Sequence, residues 1–163
     1  MWSIRIVLVR PRNPNNIGAA ARAMANFGLD DLVVVDPYEP VWRETVAAVG
    51  GERVMSGARK MPLEEAVAGC AAIVGATTAR RRRVDRPLLI LPRLPGFLRK
   101  RLGDSGRAAI LFGSEKTGLS RAALERCAAW LKIPTTPEFP SLNLSQAVAV
   151  VAYELARKAA AAS

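Results

Sequence analysis

The chain has 163 residues and a net charge of +10, and half of its residues are hydrophobic. This composition excludes an extensively disordered chain, and the length predicts one domain with a substantial core. Histidine is absent, which excludes histidine bases, triads and metal sites, and no apolar run approaches the ~18 residues of a membrane span.

The cysteines and the arginines indicate the cellular compartment and the kind of partner. Cys70 and Cys127 are far apart and lack any motif spacing, so we expect buried core thiols in a reducing cytoplasm. Because the chain enters a strand directly after its first residues, we expect no signal peptide. The clustered arginines favour a polyanionic partner, nucleic acid before membrane.

The first half of the chain alternates strand-like and helical patterns. Strands are predicted at residues 4–9, 32–36 and 71–77. Helices are predicted at residues 16–27, 40–49 and 62–69. The strands are apolar throughout, as in a sheet covered on both faces. Gly28 would end the first helix, and Gly50-Gly51 would stop the second.

The second half continues the alternation after a basic, proline-rich segment within residues 78–106. Strands are predicted at residues 108–112 and 129–133, and helices at 96–102, 121–128 and 144–160. Asn143 and Gln146 form a predicted capping box for the last helix. The apolar stripe of that helix fits either a dimer face or an intramolecular core; it consists of Leu144, Val148, Val151 and Leu155.

This order of elements indicates an α/β fold with a mainly parallel sheet. In such folds, ligands bind in the loops at the carboxyl ends of the strands. Three segments with Gly or Pro punctuation and polar residues follow predicted strands, namely Asn13–Arg22, Leu111–Ser120 and Ile133–Gln146. We therefore expect these segments to form one composite site.

The first segment carries Arg22 on the helix face opposite the core. An arginine there is usually a solvated surface residue. However, Asn16 and Gly18 place a polar side chain and a bare backbone at a helix N-terminus, which suits an anion. Arg22 is therefore a candidate functional residue.

The second segment is a turn in which Gly113 would let the backbone approach a ligand closely. Glu115 is either a surface charge or a group that binds a hydroxyl or a cation. Neither the P-loop ending nor the dinucleotide Gly-x-Gly-x-x-Gly pattern is present, so no familiar phosphate cradle is indicated.

The third segment holds Pro134, Pro137 and Pro140, which stiffen a loop between a strand and a helix. A stiff loop loses less entropy when it surrounds a ligand. Ser141 and Asn143 add polar groups at the helix start, where capping alone is also plausible.

An arginine run, Arg80–Arg83, follows Thr77-Thr78 and Ala79 at the mouth of the expected site. Such a run is usually a solvated face. Because guanidinium groups match phosphate oxygens in bidentate fashion, we predict that this one binds phosphate.

Together, the three segments resemble the three motifs of the SPOUT class of RNA methyltransferases, in its SpoU/TrmH branch. The matching patterns are Asn16-x-Gly18-Ala19-x-x-Arg22, Gly113-x-Glu115-x-x-Gly118-Leu119 and Ser141-Leu142-Asn143-x-Ser145-x-Ala147. Their order and spacing match over nearly the whole chain. Stretches after Gly18, around Thr78 and from Pro137 are most similar to branch members that methylate ribose at nucleotide 32 of the tRNA anticodon loop.

The resemblance implies a SPOUT-type α/β knot, a Rossmann-like, mostly parallel sheet with helices on both faces and a C-terminal trefoil knot. It implies one methyltransferase domain over residues 1–163, without the C-terminal extension of longer relatives, and a cytoplasmic homodimer. The implied cofactor is S-adenosylmethionine, bound without a metal. Its contacts would be Thr77, Thr78, Ala79, Gly113, Ile133, Ser141, Leu142 and Asn143.

The implied reaction is methyl transfer to a ribose 2′-hydroxyl of tRNA, which leaves S-adenosylhomocysteine. The catalytic set would be Arg22, Asn16, Glu115, Ser141 and Asn143. Arg22 would face the cofactor of the other subunit. Arg22 would have one of two roles. It either takes the proton, although a guanidinium is a poor base, or orients the ribose and stabilises the developing alkoxide. The RNA contacts would be Arg10, Arg22, Arg80, Arg81, Arg82, Arg83 and Arg86.

Two alternatives remain open from the sequence. One is the same reaction on ribosomal RNA. The other is a non-catalytic RNA-binding module on the same fold, which would have no need of the full catalytic set. A dinucleotide-binding dehydrogenase is disfavoured by the missing glycine fingerprint.

Overall fold

A computed structural model describes residues 2–80, 83 and 85–161, without the side chains of 158–161. Within these residues the centre is a seven-stranded sheet with the order β3-β2-β1-β6-β4-β7-β5. The strands are β1 (Ser3–Val9), β2 (Asp31–Val35), β3 (Arg59–Lys60), β4 (Ala72–Ala76), β5 (Leu88–Ile90), β6 (Arg107–Phe112) and β7 (Ala129–Lys132). Every neighbouring pair is parallel, which confirms the predicted α/β class.

Helices cover both faces of the sheet. They are α1 (Pro14–Asn26), α2 (Glu52–Gly57), α3 (Leu63–Val67), α4 (Leu94–Leu102), α5 (Arg121–Glu125) and α6 (Leu144–Ala161), with 3-10 turns at Val46–Ala48 and Leu91–Arg93. Successive strand residues point to opposite faces. Ile6 and Leu8 therefore pack with the face that carries α1, α4 and α6, while Val7 and Val33 pack with α3 and α5.

Helix α1 begins two residues earlier than the sequence pattern predicts. The Asn13 side chain accepts the N–H of Asn15 at 2.9 Å, and Pro14 occupies the first turn, where its missing N–H costs nothing. Gly28 follows the helix with a φ of +74°, a conformation that suits glycine. The predicted end of the helix is therefore confirmed.

The predicted helix over residues 40–49 is wrong. This stretch contains only the 3-10 turn Val46–Ala48, and the regular helix forms after Gly51, as α2. Trp42 is buried, and the Arg43 guanidinium donates to the carbonyl oxygens of Met55 and Ala58. These contacts tie the stretch to α2 and hold it in an irregular conformation.

Two strands at the edges of the sheet were not predicted. Strand β3 consists of two exposed basic residues, and β5 has three residues between prolines. Neither is long enough to show a strand pattern in the sequence. Helices α3 and α5 end at Val67 and Glu125, before their predicted ends.

The C-terminal helix packs its apolar stripe inside the chain. Leu144, Val148 and Val151 are buried in the core cluster that includes α1, so the stripe is an intramolecular core. The capping box is present, because the Asn143 side chain accepts the N–H of Ser145 at 2.9 Å and Gln146 accepts the N–H of Asn143 at 3.3 Å.

The two cysteines differ from each other. Cys127 is buried as predicted, but Cys70 is only half-buried because it lies in the short turn between α3 and β4. Burial raises the pKa of Cys127 to about 12 and also raises the pKa of Cys70. Both thiols are therefore protonated at neutral pH. Among the described helices, none has the length and apolar character needed to cross a membrane.

Candidate functional site

A cavity of about 530 Å³ opens at the carboxyl ends of β4, β6 and β7. Strand β6 inserts between β1 and β4, and β7 inserts between β4 and β5, so the loops that follow these strands meet. The lining includes Thr77, Thr78, Arg80, Gly113, Glu115, Leu119, Leu131, Ile133, Ser141 and Leu142. The structure therefore brings residues from two of the three predicted segments, together with Thr77 and Thr78, to one cavity.

The loop after β6 is folded tightly on itself. The N–H of Gly118 donates to the carbonyl oxygen of Ser114 at 2.8 Å, and these residues form an antiparallel bridge. A Cβ at Gly113 would lie 2.1 Å from the carbonyl carbon of Gly118 and the nitrogen of Leu119. We expected Gly113 to let a ligand approach the backbone. Gly113 lines the cavity, and the chain's own backbone at Gly118 and Leu119 also approaches it closely.

The loop after β7 forms the opposite wall of the cavity. The Thr135 hydroxyl donates to the carbonyl oxygen of Pro140 at 3.1 Å, which closes the proline-containing loop. Ser141 and Leu142 line the cavity, directly before the Asn143 cap of α6.

A chain of hydrogen bonds joins all three segments beside this cavity. The Asn143 side-chain amide donates to Asn16 Oδ1 at 3.0 Å, and the Asn16 amide donates to Glu115 Oε1 at 3.3 Å. The other carboxylate oxygen of Glu115 accepts the backbone N–H of Arg12 at 2.8 Å. Three of the predicted catalytic residues are therefore directly connected, and Ser141 lies in the wall of the same cavity.

The backbone of Gly18 does not face an open anion site. A Cβ at Gly18 would lie 2.5 Å from Thr45 Cγ2 and 2.9 Å from the nitrogen of Ala48. The 3-10 turn therefore covers this part of α1, and the expectation that Gly18 offers bare backbone to an anion is wrong. Gly18 instead permits close packing of the turn on the helix.

Arg22 lies apart from the cavity of its own chain. It is exposed on α1, and it is not among the described residues that line the cavity. Its side chain packs beside Gly50. The Gly50 N–H donates to the Glu52 carboxylate, which is the main cause of a lowered Glu52 pKa, and Arg22 lowers that pKa further. Arg22 therefore has a negative charge nearby.

The predicted RNA-binding arginines have different surroundings. Arg80 is exposed at the cavity, whereas Arg10 pairs with Asp36 at 3.5 Å. Arg86 is half-buried and donates to the carbonyl oxygen of Glu125 at 3.2 Å, which ties its loop to α5. Arg83 is exposed. Arg81 and Arg82 lie outside the described residues.

Backbone strain is concentrated at the same edge of the sheet. Arg10, Asp36 and Ala79 adopt positive φ angles of 54°, 46° and 58°, and each lies just after a strand. Such a conformation costs a non-glycine residue about 1–3 kcal/mol, and residues held in it cluster at functional sites. The Ala79 N–H donates to the Thr77 hydroxyl at 3.1 Å, which helps to hold the turn above the cavity.

Sequence reasoning missed Arg12, whose backbone joins Glu115, and Thr45, whose hydroxyl donates to Asn15 at 2.8 Å. The sequence pattern placed Arg12 only in a turn. Its position between a strand and the Asn-Pro start of a helix could have marked it as a candidate site residue. Over the described part of the chain, no group of His, Cys, Asp or Glu side chains could hold a metal ion.

Similarities to known proteins extend over most of the chain. The model of the SpoU rRNA Methylase family matches residues 3–153. The chain is 44% identical over 154 residues to the tRNA (cytidine/uridine/adenosine-2′-O-)-methyltransferase TrmJ of Pseudomonas aeruginosa strain UCBPP-PA14, which covers 93% of this chain.

Two solved structures are also similar. A crystal structure of TrmJ from Z. mobilis ZM4 superposes with a TM-score of 0.82 and 42% identity, covering 94% of this chain and 68% of that one. An AdoMet-bound rRNA methyltransferase from Sinorhizobium meliloti has a TM-score of 0.73 and 22% identity over 96% of this chain and 56% of that one, a likeness of fold alone. The chain spans about 60% of the length of the curated P. aeruginosa relative.

Proposed function

The chain belongs to the SpoU methylase family, and from this membership we propose that it transfers a methyl group from S-adenosylmethionine to a ribose 2′-hydroxyl of tRNA. One observation carries the proposal: Asn16, Glu115 and Asn143, one from each of the three segments, form a continuous chain of hydrogen bonds beside a ligand-sized cavity. The similarity to TrmJ favours tRNA as the substrate.

The finer features of the fold are part of this proposal. We infer a single SPOUT methyltransferase domain with a trefoil knot, supported by family membership and by the late insertion of β6 and β7 between earlier strands. We also place the protein in the cytoplasm, where tRNA is modified and where Cys70 and Cys127 would remain free thiols.

The cavity fits S-adenosylmethionine in size and character. Its volume of about 530 Å³ lies within the range of small-molecule sites. Leu119, Leu131, Ile133 and Leu142 offer apolar contacts for an adenine, and Thr77 and Thr78 offer hydroxyls. Gly113 and Ser141 complete the proposed contacts, with Ala79 and Asn143 beside the cavity. The bound cofactor would supply a methyl group already activated on a sulfonium.

The chain's own residues must then orient the ribose and help its hydroxyl lose a proton. The Glu115 carboxylate is held by Asn16 and by the Arg12 N–H, so it keeps the first segment close to the cavity. Arg22 would orient the ribose or its phosphate and stabilise negative charge on the 2′-oxygen through its guanidinium. Asn143 and Ser141 would help to position the substrate at their side of the cavity.

We infer a homodimer in which Arg22 completes the partner's site. Arg22 is not among the described residues of its own cavity, so the proposed role requires a second chain. Exposed apolar side chains are available for such an interface; among them are Val46, Val49, Val150 and Tyr153.

Replacing Asn16 with alanine is expected to lower the rate of methyl transfer by about tenfold or more. The change removes the side chain that links Glu115 to Asn143. Loss of one hydrogen bond to a charged group, here the Glu115 carboxylate, costs about 1.5–3 kcal/mol. The matched control is Asn15→Ala, one residue away on α1, whose side chain accepts from Thr45. Single-turnover rates and melting temperatures would be compared, and equal loss of rate in both variants would contradict a role for the connected residues.

Neutralising the basic loop is expected to weaken tRNA binding and flatten its salt dependence. In Arg80→Ala/Arg83→Ala, each lost phosphate contact should reduce the slope of log affinity against log salt by about 0.7–0.9. The matched control is Arg99→Ala/Lys100→Ala, which removes the same charge from the exposed last turn of α4. An equal change in both variants would mean that only net charge matters.

Within tRNA we propose nucleotide 32 of the anticodon loop, from the resemblance of the motif-flanking stretches. The same reaction on ribosomal RNA is the alternative. Incubation with radiolabelled S-adenosylmethionine and either unmodified tRNA or deproteinised ribosomal RNA separates the two. We expect label in tRNA; label only in ribosomal RNA would change the substrate, and label in neither, with cofactor binding absent, would contradict the enzymatic proposal.

A further inference from the structure

A second cavity, of about 470 Å³, lies where the loops after β1 and β2 meet. It is lined by Arg12, Asn13, Pro14, Tyr38, Glu39 and Val41. The motif resemblance and the proposed reaction assign no role to the side chains of Arg12, Tyr38 or Val41. We call these six residues the loop cleft.

An arginine and an aromatic ring are stacked in the loop cleft. The Arg12 guanidinium carbon lies 4.5 Å from the centroid of the Tyr38 ring, a favourable cation–π distance. The Tyr38 N–H donates to the carbonyl oxygen of Pro11 at 3.0 Å, which fixes the two loops together. In the described part of the chain, no carboxylate forms an ion pair with Arg12.

The loop cleft also exposes apolar surface. Tyr38 is 64% exposed and Val41 is 57% exposed. An exposed aromatic ring beside a guanidinium without an acidic partner is the combination that nucleic-acid-binding proteins use for base stacking and phosphate contact. The backbone N–H groups of Arg12 and Tyr38 are hydrogen-bonded and their side chains contact each other, which reduces the ordering needed on binding.

The backbone is strained where it enters both loops. Arg10 and Asp36 follow β1 and β2 directly, have φ angles of 54° and 46°, and pair at 3.5 Å. The Arg10 N–H donates to the carbonyl oxygen of Val35 at 2.7 Å. These contacts join the two neighbouring turns, and strained residues of this kind cluster at functional sites.

One residue connects the loop cleft to the main cavity. Glu115 lines the main cavity, and its Oε2 accepts the backbone N–H of Arg12 at 2.8 Å. The two cavities are therefore neighbours that share the Glu115 contact. A ligand long enough to occupy both would be a strand of nucleotides rather than a single small molecule.

We propose that the loop cleft binds an unpaired nucleotide next to the methylated one, with its base stacked on Tyr38 and its phosphate near Arg12. This inference rests on the proposed function. Glu39 disfavours a free anion in the loop cleft, but its carboxylate can accept hydrogen bonds from a base amino group. Single-stranded loops present such splayed bases to proteins.

The test measures RNA affinity separately from methyl transfer. A fluorescently labelled anticodon stem-loop RNA is titrated against the full chain in the presence of S-adenosylhomocysteine, and anisotropy is read. Tyr38→Ala should weaken binding about tenfold, as expected for the loss of one stacked base, while Tyr38→Phe stays within about twofold because it keeps the ring. Calorimetric affinity for S-adenosylhomocysteine should be unchanged in both variants.

A second variant keeps the proposal testable if Tyr38→Ala does not fold. Val41→Glu adds a negative charge at an exposed position of the loop cleft, and it should weaken RNA binding and raise the KM for RNA without lowering kcat. Wild-type affinity in both Tyr38→Ala and Val41→Glu would overturn the inference, as would absence of RNA binding by the unaltered chain. RNA binding that depends on Tyr38 without any methyl transfer would support the loop cleft and contradict the proposed function.

Discussion

Gly113→Ala is expected to abolish binding of S-adenosylmethionine and to lower the melting temperature by on the order of 10 °C. The new Cβ would lie 2.1 Å from the backbone at Gly118 and Leu119. Because these neighbours are backbone atoms, they cannot rotate away, and the loop after β6 must open. Overpacking of this kind costs about 3 kcal/mol, and each kcal/mol shifts the melting temperature of a chain of this size by about 2–4 °C.

Gly96→Ala is the matched control. Gly96 lies in α4, and a Cβ there would meet no heavy atom within 4 Å. Alanine is a better helix former than glycine by about 0.8–1 kcal/mol, so this variant should be as stable as the unaltered chain or more stable. Calorimetric titration with S-adenosylmethionine and thermal unfolding would test both variants. Unchanged cofactor affinity in Gly113→Ala would contradict the assignment of this cavity to the cofactor.

Arg22→Ala is expected to reduce methyl transfer at least about a hundredfold while cofactor affinity stays within about twofold. Loss of one positioned donor for a developing oxyanion typically costs this much in rate. Arg22 is exposed and does not line its own chain's cavity, so neither folding nor cofactor binding should depend on it. The matched control is Arg53→Ala, which removes an exposed arginine from α2. Loss of cofactor binding in Arg22→Ala would show a structural role instead.

Mixed dimers would show whether Arg22 acts across an interface. Leu142→Trp places an indole in the main cavity at a residue that is 37% exposed, so it should block the cofactor without disturbing the fold. Neither Arg22→Ala nor Leu142→Trp should be active alone. After the two are exchanged into mixed dimers, one intact composite site should form and activity should return. Persistent inactivity of the mixture, with dimers present, would contradict the proposed arrangement.

The central strands and the main site could be predicted because their signals are local. Each central strand is a continuous apolar run, and the polar residues of the three segments lie directly after strands or at helix starts. Parallel strands bring their carboxyl ends to one edge of the sheet, so a composite site followed from the predicted parallel arrangement. The link from Asn143 through Asn16 to Glu115 spans most of the chain, but the motif resemblance had already grouped these residues.

The features that were not predicted from the sequence have a common physical cause. Each depends on contacts between residues in different elements of the fold. The irregular stretch before α2 is held by Trp42 and Arg43, whose partners lie in other elements. The close packing of other atoms of the same chain against Gly18 and Gly113 was not predicted, because a glycine in a sequence does not reveal what approaches it. The contact between Arg12 and Tyr38 depends on β1 and β2 being neighbours in the sheet, because the turns that follow these strands then form a shared cleft.

The most direct test of the account is nucleoside mapping after methylation of unmodified tRNA by the purified chain. The tRNA is incubated with S-adenosylmethionine carrying a labelled methyl group, digested, and analysed by mass spectrometry for the modified nucleotide and for the position of the label on ribose or base. The account predicts a 2′-O-methylated ribose in the anticodon loop, at nucleotide 32, with Arg22→Ala giving none. Label on a base, or no transfer by a chain that binds both cofactor and tRNA, would contradict it.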